Sequence, residues 1–190
     1  MYKLCKTEQS AKRQRELECQ LLGMMSTHRY EEITITDFCS QAGIPRKAFF
    51  RYFSSKDGAL HALIDHTLLD FEAYSAVERI GVNDPREREL FRFFQFWKTQ
   101  KPFLDALTNS DISGILVTRT IDYALSDSTA YRRFVSSDGP NVREYSITFS
   151  ICGIMSLVLK WYQTGYQLSA DRMARLAVEL LTKPLLQTES

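Results

Sequence analysis

The sequence predicts an all-α protein: an N-terminal three-helix domain built around a helix-turn-helix, joined by a long helix to a larger C-terminal helical domain. Three observations lead there. Apolar residues recur at spacings of three and four along most of the chain, and no useful run of period-two alternation appears. Glycine is sparse, at 8 of 190 residues. Helix-start patterns, a hydroxyl or acidic cap followed by proline or an acid, recur along the chain. With 44% apolar and 25% charged residues the composition is that of an ordinary globular chain and excludes a disordered one. A chain of 190 residues is long enough to bury a core, as one domain or two small ones.

The elements follow in order. A first helix is expected from about Thr7 to Thr27, with Leu17, Leu21, Leu22, Met24 and Met25 on its apolar side. Thr34-Ile35-Thr36-Asp37 reads as a capping box for a second helix that stops at Gly43. Pro45 suits the first turn of a third helix, because its missing N–H costs nothing there, and that helix ends near Phe53. Ser54-Ser55-Lys56-Asp57 caps a long helix running toward Arg79. Asp84-Pro85 starts another, and Pro102 and Asn109-Ser110-Asp111 break the middle of the chain into further helices. Ser136 to Pro140 reads as a loop. Two last helices are expected from Asn141 to Thr164 and from Ser169 to Leu186, separated by a turn at Gly165. The domains are placed at residues 1–57 and 58–190, with the physical division inside the long helix near residues 58 to 70.

Residues 34 to 53 thus have the size and punctuation of a helix-turn-helix. Ile35, Phe38, Cys39 and Ala42 form the expected inner face of its first helix, and Ile44, Ala48 and Phe49 hold the second one down. Net charge is only +1, so any basic surface must be local. It is local here: from Pro45 to Lys56 the charged residues are Arg46, Lys47, Arg51 and Lys56, with no acid among them. Cations in the first turn of a helix are mildly disfavoured by its dipole, so Arg46 and Lys47 make more sense facing phosphate or base edges. Lys56, at the start of the next helix, stands where backbone N–H groups favour a phosphate. The bland alternative is a solvated charged face.

This stretch resembles the N-terminal signature of the TetR family. The matching features are Thr34 opening the second helix, the Ala42-Gly43 turn, the run Phe50-Arg51-Tyr52-Phe53, and the Ser55-Lys56-Asp57 start of the fourth helix, within residues 10 to 66. The resemblance implies a helical ligand-binding and dimerisation domain after it. It also implies phosphate or base contacts from Thr34, Pro45, Arg46, Lys47, Phe50, Tyr52 and Lys56. Thr36 and Arg51 complete the candidate DNA-binding set. The chain departs from the pattern at Phe50, where the family usually has Tyr and hence a hydroxyl. It departs also at Arg29 for a usual Gly, Cys39 for Ala and Ala59 for Leu.

Aromatic residues crowd the second half. Phe93, Phe96 and Trp97 share one helical face. Core packing is the plain reading. The functional one is a ligand pocket lined by some of Phe93, Trp97, Phe103, Leu107, Tyr123 and Phe149, apolar as such pockets are. The helix from Tyr145 to Tyr162 has two apolar stripes. One is Tyr145, Phe149, Cys152 and Met155; the other is Ile147, Ile151, Ile154, Val158 and Trp161. The expectation sets the second stripe at a dimer interface, a wholly internal helix being its rival.

Catalytic signatures are missing: no GxSxG, no phosphate-binding loop, no dinucleotide fingerprint and no HExxH. His61 and His66 miss the i, i+4 metal-ligand spacing, and Asp65, His66 and Asp70 read as solvated positions on the long helix. No metal and no cofactor is expected. Cys5, Cys19, Cys39 and Cys152 form no CxxC pair and read as buried, reduced thiols of a cytoplasmic protein, with redox sensing the alternative. No apolar run approaches the roughly 18 residues of a membrane span, so no membrane partner is expected. The sequence therefore points to a homodimeric transcriptional regulator, not an enzyme. Its expected partners are a palindromic double-stranded DNA operator and a small-molecule effector, and repression is the favoured mode. The alternative is a protein-interaction or co-activator module that keeps the fold without DNA binding.

Overall fold

A computed structural model describes residues 2–3, 5–76, 85–126 and 140–182. These are helical almost throughout: α1 (Glu8–Met25), a 3-10 turn (Tyr30–Glu32), α2 (Ile35–Gln41), α3 (Arg46–Tyr52), α4 (Lys56–Ala76), α5 (Pro85–Thr99), α6 (Lys101–Asn109), α7 (Gly114–Leu125), α8 (Pro140–Gln163) and α9 (Ala170–Thr182). Among the described residues extended pairing is confined to one isolated antiparallel bridge, Tyr2 to Phe53. The Asp84 cap, the loop at 136–139 and the stretches toward Arg79 and Leu186 lie outside the described residues.

Caps account for several helix ends. The Thr7 hydroxyl accepts from the Ser10 amide (3.2 Å) at the start of α1. Thr34 and Asp37 form the expected box on α2: the Asp37 amide donates to the Thr34 hydroxyl (3.1 Å) and the Thr34 amide to the Asp37 carboxylate (3.4 Å). The turn after α2 is a Schellman motif. Gly43 sits at φ +62°, the Gly43 amide bonds the Ser40 carbonyl, and the Ile44 amide bonds the Cys39 carbonyl. The same pattern ends α8 at Gly165 (φ +68°), where Tyr166 donates to Trp161. It also ends α6 at Asp111 (φ 56°), where Ile112 donates to Leu107.

The chain forms two compact units, Met1–Leu69 with Pro102–Arg119, and Asp70–Lys101 with Thr120–Ser190. In the first, the inner stripe of α1 is Leu17, Leu21, Met24 and Met25, and Leu22 is only half-buried. Gln14 and Glu18 lie on this same buried stripe. Phe49 is the hub of the helix-turn-helix, with ring centroids 5.4 Å from Phe38 and 5.3 Å from Phe53. The Tyr30 amide donates to the buried Ser110 hydroxyl (2.9 Å), tying the segment after α6 to the 3-10 turn.

In the second unit α9 packs chiefly on α5. The inner face of α9 carries the small residues Ala170, Ala174 and Ala177, all buried, which permit a close approach to a helix full of rings. Phe71, Phe93, Phe94, Phe96 and Trp97 form edge-to-face and tilted pairs. The window Val142–Gln163 of α8 is long and apolar enough to cross a membrane by length and composition, contrary to the sequence expectation. Its apolar character has a core explanation on one side, because Ile147, Ile151, Ile154, Met155, Val158 and Trp161 are all buried within the chain.

That burial corrects the dimer-interface assignment. Ile147, Ile151, Ile154, Val158 and Trp161 face the core of their own chain, Trp161 with its ring on Phe94 (5.6 Å) and its indole N–H donating to the Leu168 carbonyl (2.8 Å). Of the other stripe only Tyr145 and Phe149 are exposed, Cys152 being half-buried and Met155 buried, and the exposed line of α8 runs through Val142, Tyr145, Phe149, Gly153 and Ser156. Periodicity reveals that α8 has two apolar sides. It does not reveal which side meets α5 and α9.

Candidate nucleic-acid interface

The outward face of α3 gathers four of the nine residues of the expected set. Pro45 caps the helix from outside, one residue before the first turn, so that Arg46 and Lys47 become its first two residues. Ala48 and Phe49 anchor it and are buried. Arg46, Lys47, Phe50 and Arg51 consequently point away from the core and are exposed, with Phe50 at 39%. The three cations form no hydrogen bond or ion pair with other described residues. Tyr52 is half-buried at the end of the helix, while Thr34 and Thr36 are exposed on α2. The resulting surface is short, cationic and free of acids on its own helix, which suits a groove lined by phosphates.

Two members of the set are already engaged. The Thr34 hydroxyl donates to the Asp37 carboxylate (2.6 Å) while accepting from the Asp37 amide. Lys56 donates its ammonium to the carbonyls of Tyr30 (2.7 Å) and Glu31 (3.3 Å) and lies over the Tyr30 ring (4.3 Å to the centroid). Tyr30 in turn donates its hydroxyl to Asp57 (2.7 Å), and burial together with that bond pushes its pKa well up. Lys56 and Asp57 thus bind the start of α4 to the 3-10 turn.

Two polar residues of α4, Asp65 and His66, are engaged within the chain and not solvated, contrary to the expectation. Asp65 is buried and receives the Arg119 guanidinium through Nε (3.0 Å) and Nη2. His66 Nδ1 lies 2.8 Å from both carboxylate oxygens of Glu18, itself 1% exposed. Asp70 is exposed. Burial, then the nearby Arg119 charge, lowers the pKa of His61. Sequence reasoning missed Gln14 and Glu18, although their spacing from Leu17 and Leu21 was the available signal. Among the described residues no group of three or more His, Cys, Asp or Glu side chains is placed to hold a metal. All four cysteines are free thiols, but only Cys39 is buried and Cys19 is exposed, unlike the expectation. Burial raises the Cys39 pKa against a smaller opposing effect of Arg46, so this thiol is not activated.

The expected pocket residues divide. Phe93 and Trp97 are neighbours in the core of the second unit (6.1 Å). Phe103 and Leu107 are buried in the first unit. Tyr123 is half-buried and donates its hydroxyl to Glu72 (2.8 Å). Phe149 is 64% exposed, on the outer side of α8.

No family model and no curated protein matches the sequence significantly. Solved structures do match, 34 chains in all. A TetR-family transcriptional regulator from Streptomyces coelicolor aligns with 20% identity and TM-score 0.53 over 90% of this chain and 79% of its own. The Listeria innocua protein Lin0861 aligns with 16% identity and TM-score 0.67 over 94% of each chain. The TetR-family repressor AlkX from Dietzia, implicated in biodegradation of n-alkanes, aligns with 12% identity and TM-score 0.56 over 88% and 92%. The architecture is therefore that of the all-helical helix-turn-helix regulators. Within that class the fold is of the TetR type.

Proposed function

We propose that this protein is a sequence-specific DNA-binding transcriptional regulator, cytoplasmic and homodimeric, whose operator binding is controlled by a small-molecule effector. The carrying observation is the outward face of α3, where Arg46, Lys47 and Arg51 stand exposed and, among the described residues, without ion-pair partners on the second helix of a helix-turn-helix. Residues 1–57 are the DNA-binding part and residues 58–190 the regulatory and dimerising part. Each subunit would set α3 in the major groove of one half of a palindromic site. The exposed stripe Val142, Tyr145, Phe149, Gly153 and Ser156 is the surface best suited to the second subunit, with two small residues following the rings. The aromatic second unit supports an apolar effector, and the n-alkane association of AlkX is in keeping with that chemistry. Repression is the favoured mode, as in AlkX.

The test is binding of the purified protein to a duplex from just upstream of its own gene, at low and moderate salt. Specific binding whose affinity falls steeply with salt is the expected result, since each neutralised phosphate releases counterions. Failure to bind duplex DNA under either condition overturns the regulator. It favours instead a protein-interaction module, for which the hydroxyl-free Phe50 and the exposed rings of α8 are the supporting features.

A further inference from the structure

The opening residues of the chain run antiparallel to the end of α3. Tyr2 bridges Phe53, the Lys3 amide donates to the Tyr52 carbonyl (2.9 Å), and Lys3 Nζ donates to the Phe50 carbonyl (2.9 Å). A seven-residue helix leaves its last carbonyls without helical partners, and a cation at that end is favoured by the dipole. Lys3 answers both needs. Gln14 of α1, 2% exposed, secures the arrangement from beneath. Its amide nitrogen donates to the carbonyls of Lys3 (3.2 Å) and Tyr52 (3.4 Å), and its oxygen accepts from the Cys5 thiol (3.1 Å).

The other end of this arm is anchored on α4. The Tyr2 ring meets His66 edge-on, 5.6 Å between centroids, beside the His66–Glu18 pair. The Tyr2 hydroxyl stands near the Asp65 carboxylate, and burial first, then the Asp65 charge, pushes its pKa up to about 12. Asp65 is the residue that Arg119 of α7 grips. One continuous set of contacts, all within the first compact unit, therefore runs from Arg119 through Asp65 and Tyr2 to the final carbonyls of α3.

We propose that residues 2 and 3 are a strap that fixes the last turn of α3, and that Tyr2, Gln14, Asp65 and Arg119 are positioning residues for its outward face. The strap works on the protein and not on DNA: Lys3 is turned to the Phe50 carbonyl, and Tyr2 to the buried side of α4. Arg119 acts at a distance, by fixing the carboxylate whose charge acts on Tyr2. This inference rests on α3 being the DNA-reading helix, and its test separates the two ideas.

The experiment uses the full chain with Tyr2→Gly and Lys3→Gly together, and Tyr2→Phe and Arg119→Gln singly and combined. Amide hydrogen exchange of the free protein is read first. The glycine double variant is expected to speed exchange in residues 50–54 about tenfold or more, with α8 and α9 unchanged, as a local opening does. Arg119→Gln is expected to speed the same amides when Tyr2 is present and to add little once Tyr2 is Phe, because its effect passes through that hydroxyl. Duplex affinity of the double variant is expected to fall about tenfold with the salt slope unchanged, since no phosphate contact is lost. Unchanged exchange at residues 50–54 overturns the strap, and a shallower salt slope overturns it in favour of direct DNA contact by the arm. Additive effects of Arg119→Gln and Tyr2→Phe remove Arg119 from the set. If the unsubstituted protein binds no duplex, the DNA reading fails alone, and the exchange result still decides the strap.

Discussion

α3 and α8 both turn outward what a folded chain ordinarily pairs or hides, and they do so with opposite chemistry. The face of α3 is three cations and a ring, anchored by Ala48 and Phe49. That of α8 is Val142, Tyr145 and Phe149 with Gly153 and Ser156 beyond them, anchored by the buried stripe of Ile147, Ile151, Ile154, Val158 and Trp161. Charge identifies an outward face by itself, because a buried unpaired cation is prohibitively costly. Apolarity does not: two apolar stripes on one helix are equivalent in sequence until a packing partner chooses between them. A cationic face suits a polyanion, and an apolar face suits a copy of itself.

The largest expected effect tests the two sides of α8 against each other. Ile151→Ala removes buried methyl groups from the core and should cost about 2–5 kcal/mol in thermal or denaturant unfolding. Phe149→Ala alters an exposed ring and should leave the unfolding of a dilute, monomeric sample within about 0.5 kcal/mol. Sedimentation should nevertheless show Phe149→Ala weakening self-association. Equal unfolding costs for the two variants would erase the distinction between the stripes.

Next in size is the face of α3. Arg46→Ala with Lys47→Ala should weaken duplex binding about 100-fold or more and make the salt slope shallower by roughly two phosphates. The melting temperature should hardly move, because neither side chain has a described ion-pair partner. Unchanged affinity would mean that α3 does not read DNA and that its charge is merely solvated.

A smaller effect lies in the turn that aims α3. Gly43 has φ +62°, with open space where a Cβ would stand, so Gly43→Ala meets no collision and tests the backbone alone. The left-handed conformation should cost about 1–2 kcal/mol. A loss near zero would show that the turn relaxes, and duplex affinity would then report whether α3 had changed direction.

These variants follow the boundary of what the sequence made legible. The capping box at Thr34, the Gly43 turn and the exposed cations of α3 depend on residues close together in the chain, and all could be read there. Asp65 and His66 could not, because their partners are Arg119 and Glu18, 54 and 48 residues away. The same holds for Lys56, whose acceptors are the carbonyls of Tyr30 and Glu31. Carbonyls have no sequence signature. Phe149 was misplaced for a different reason: a helical stripe carries no label for inside or outside.

Thr34 gives the smallest expected effect and the sharpest question about the cationic face. Its hydroxyl has one proton, and that proton points to the Asp37 carboxylate at 2.6 Å while a lone pair accepts the Asp37 amide. To donate to a phosphate, the hydroxyl must turn away from Asp37, although it can keep its cap. Thr34→Ala should therefore cost about 1 kcal/mol of stability, a shift of roughly 2–4 °C, through the lost cap. Thr34→Ser should restore it. If duplex affinity follows the hydroxyl too, falling in the Ala variant and returning with Ser, then Thr34 exchanges Asp37 for a phosphate on binding, and the DNA-facing surface extends from α3 onto α2. If affinity stays level while stability falls, Thr34 is a cap alone, and α3 carries the recognition without it.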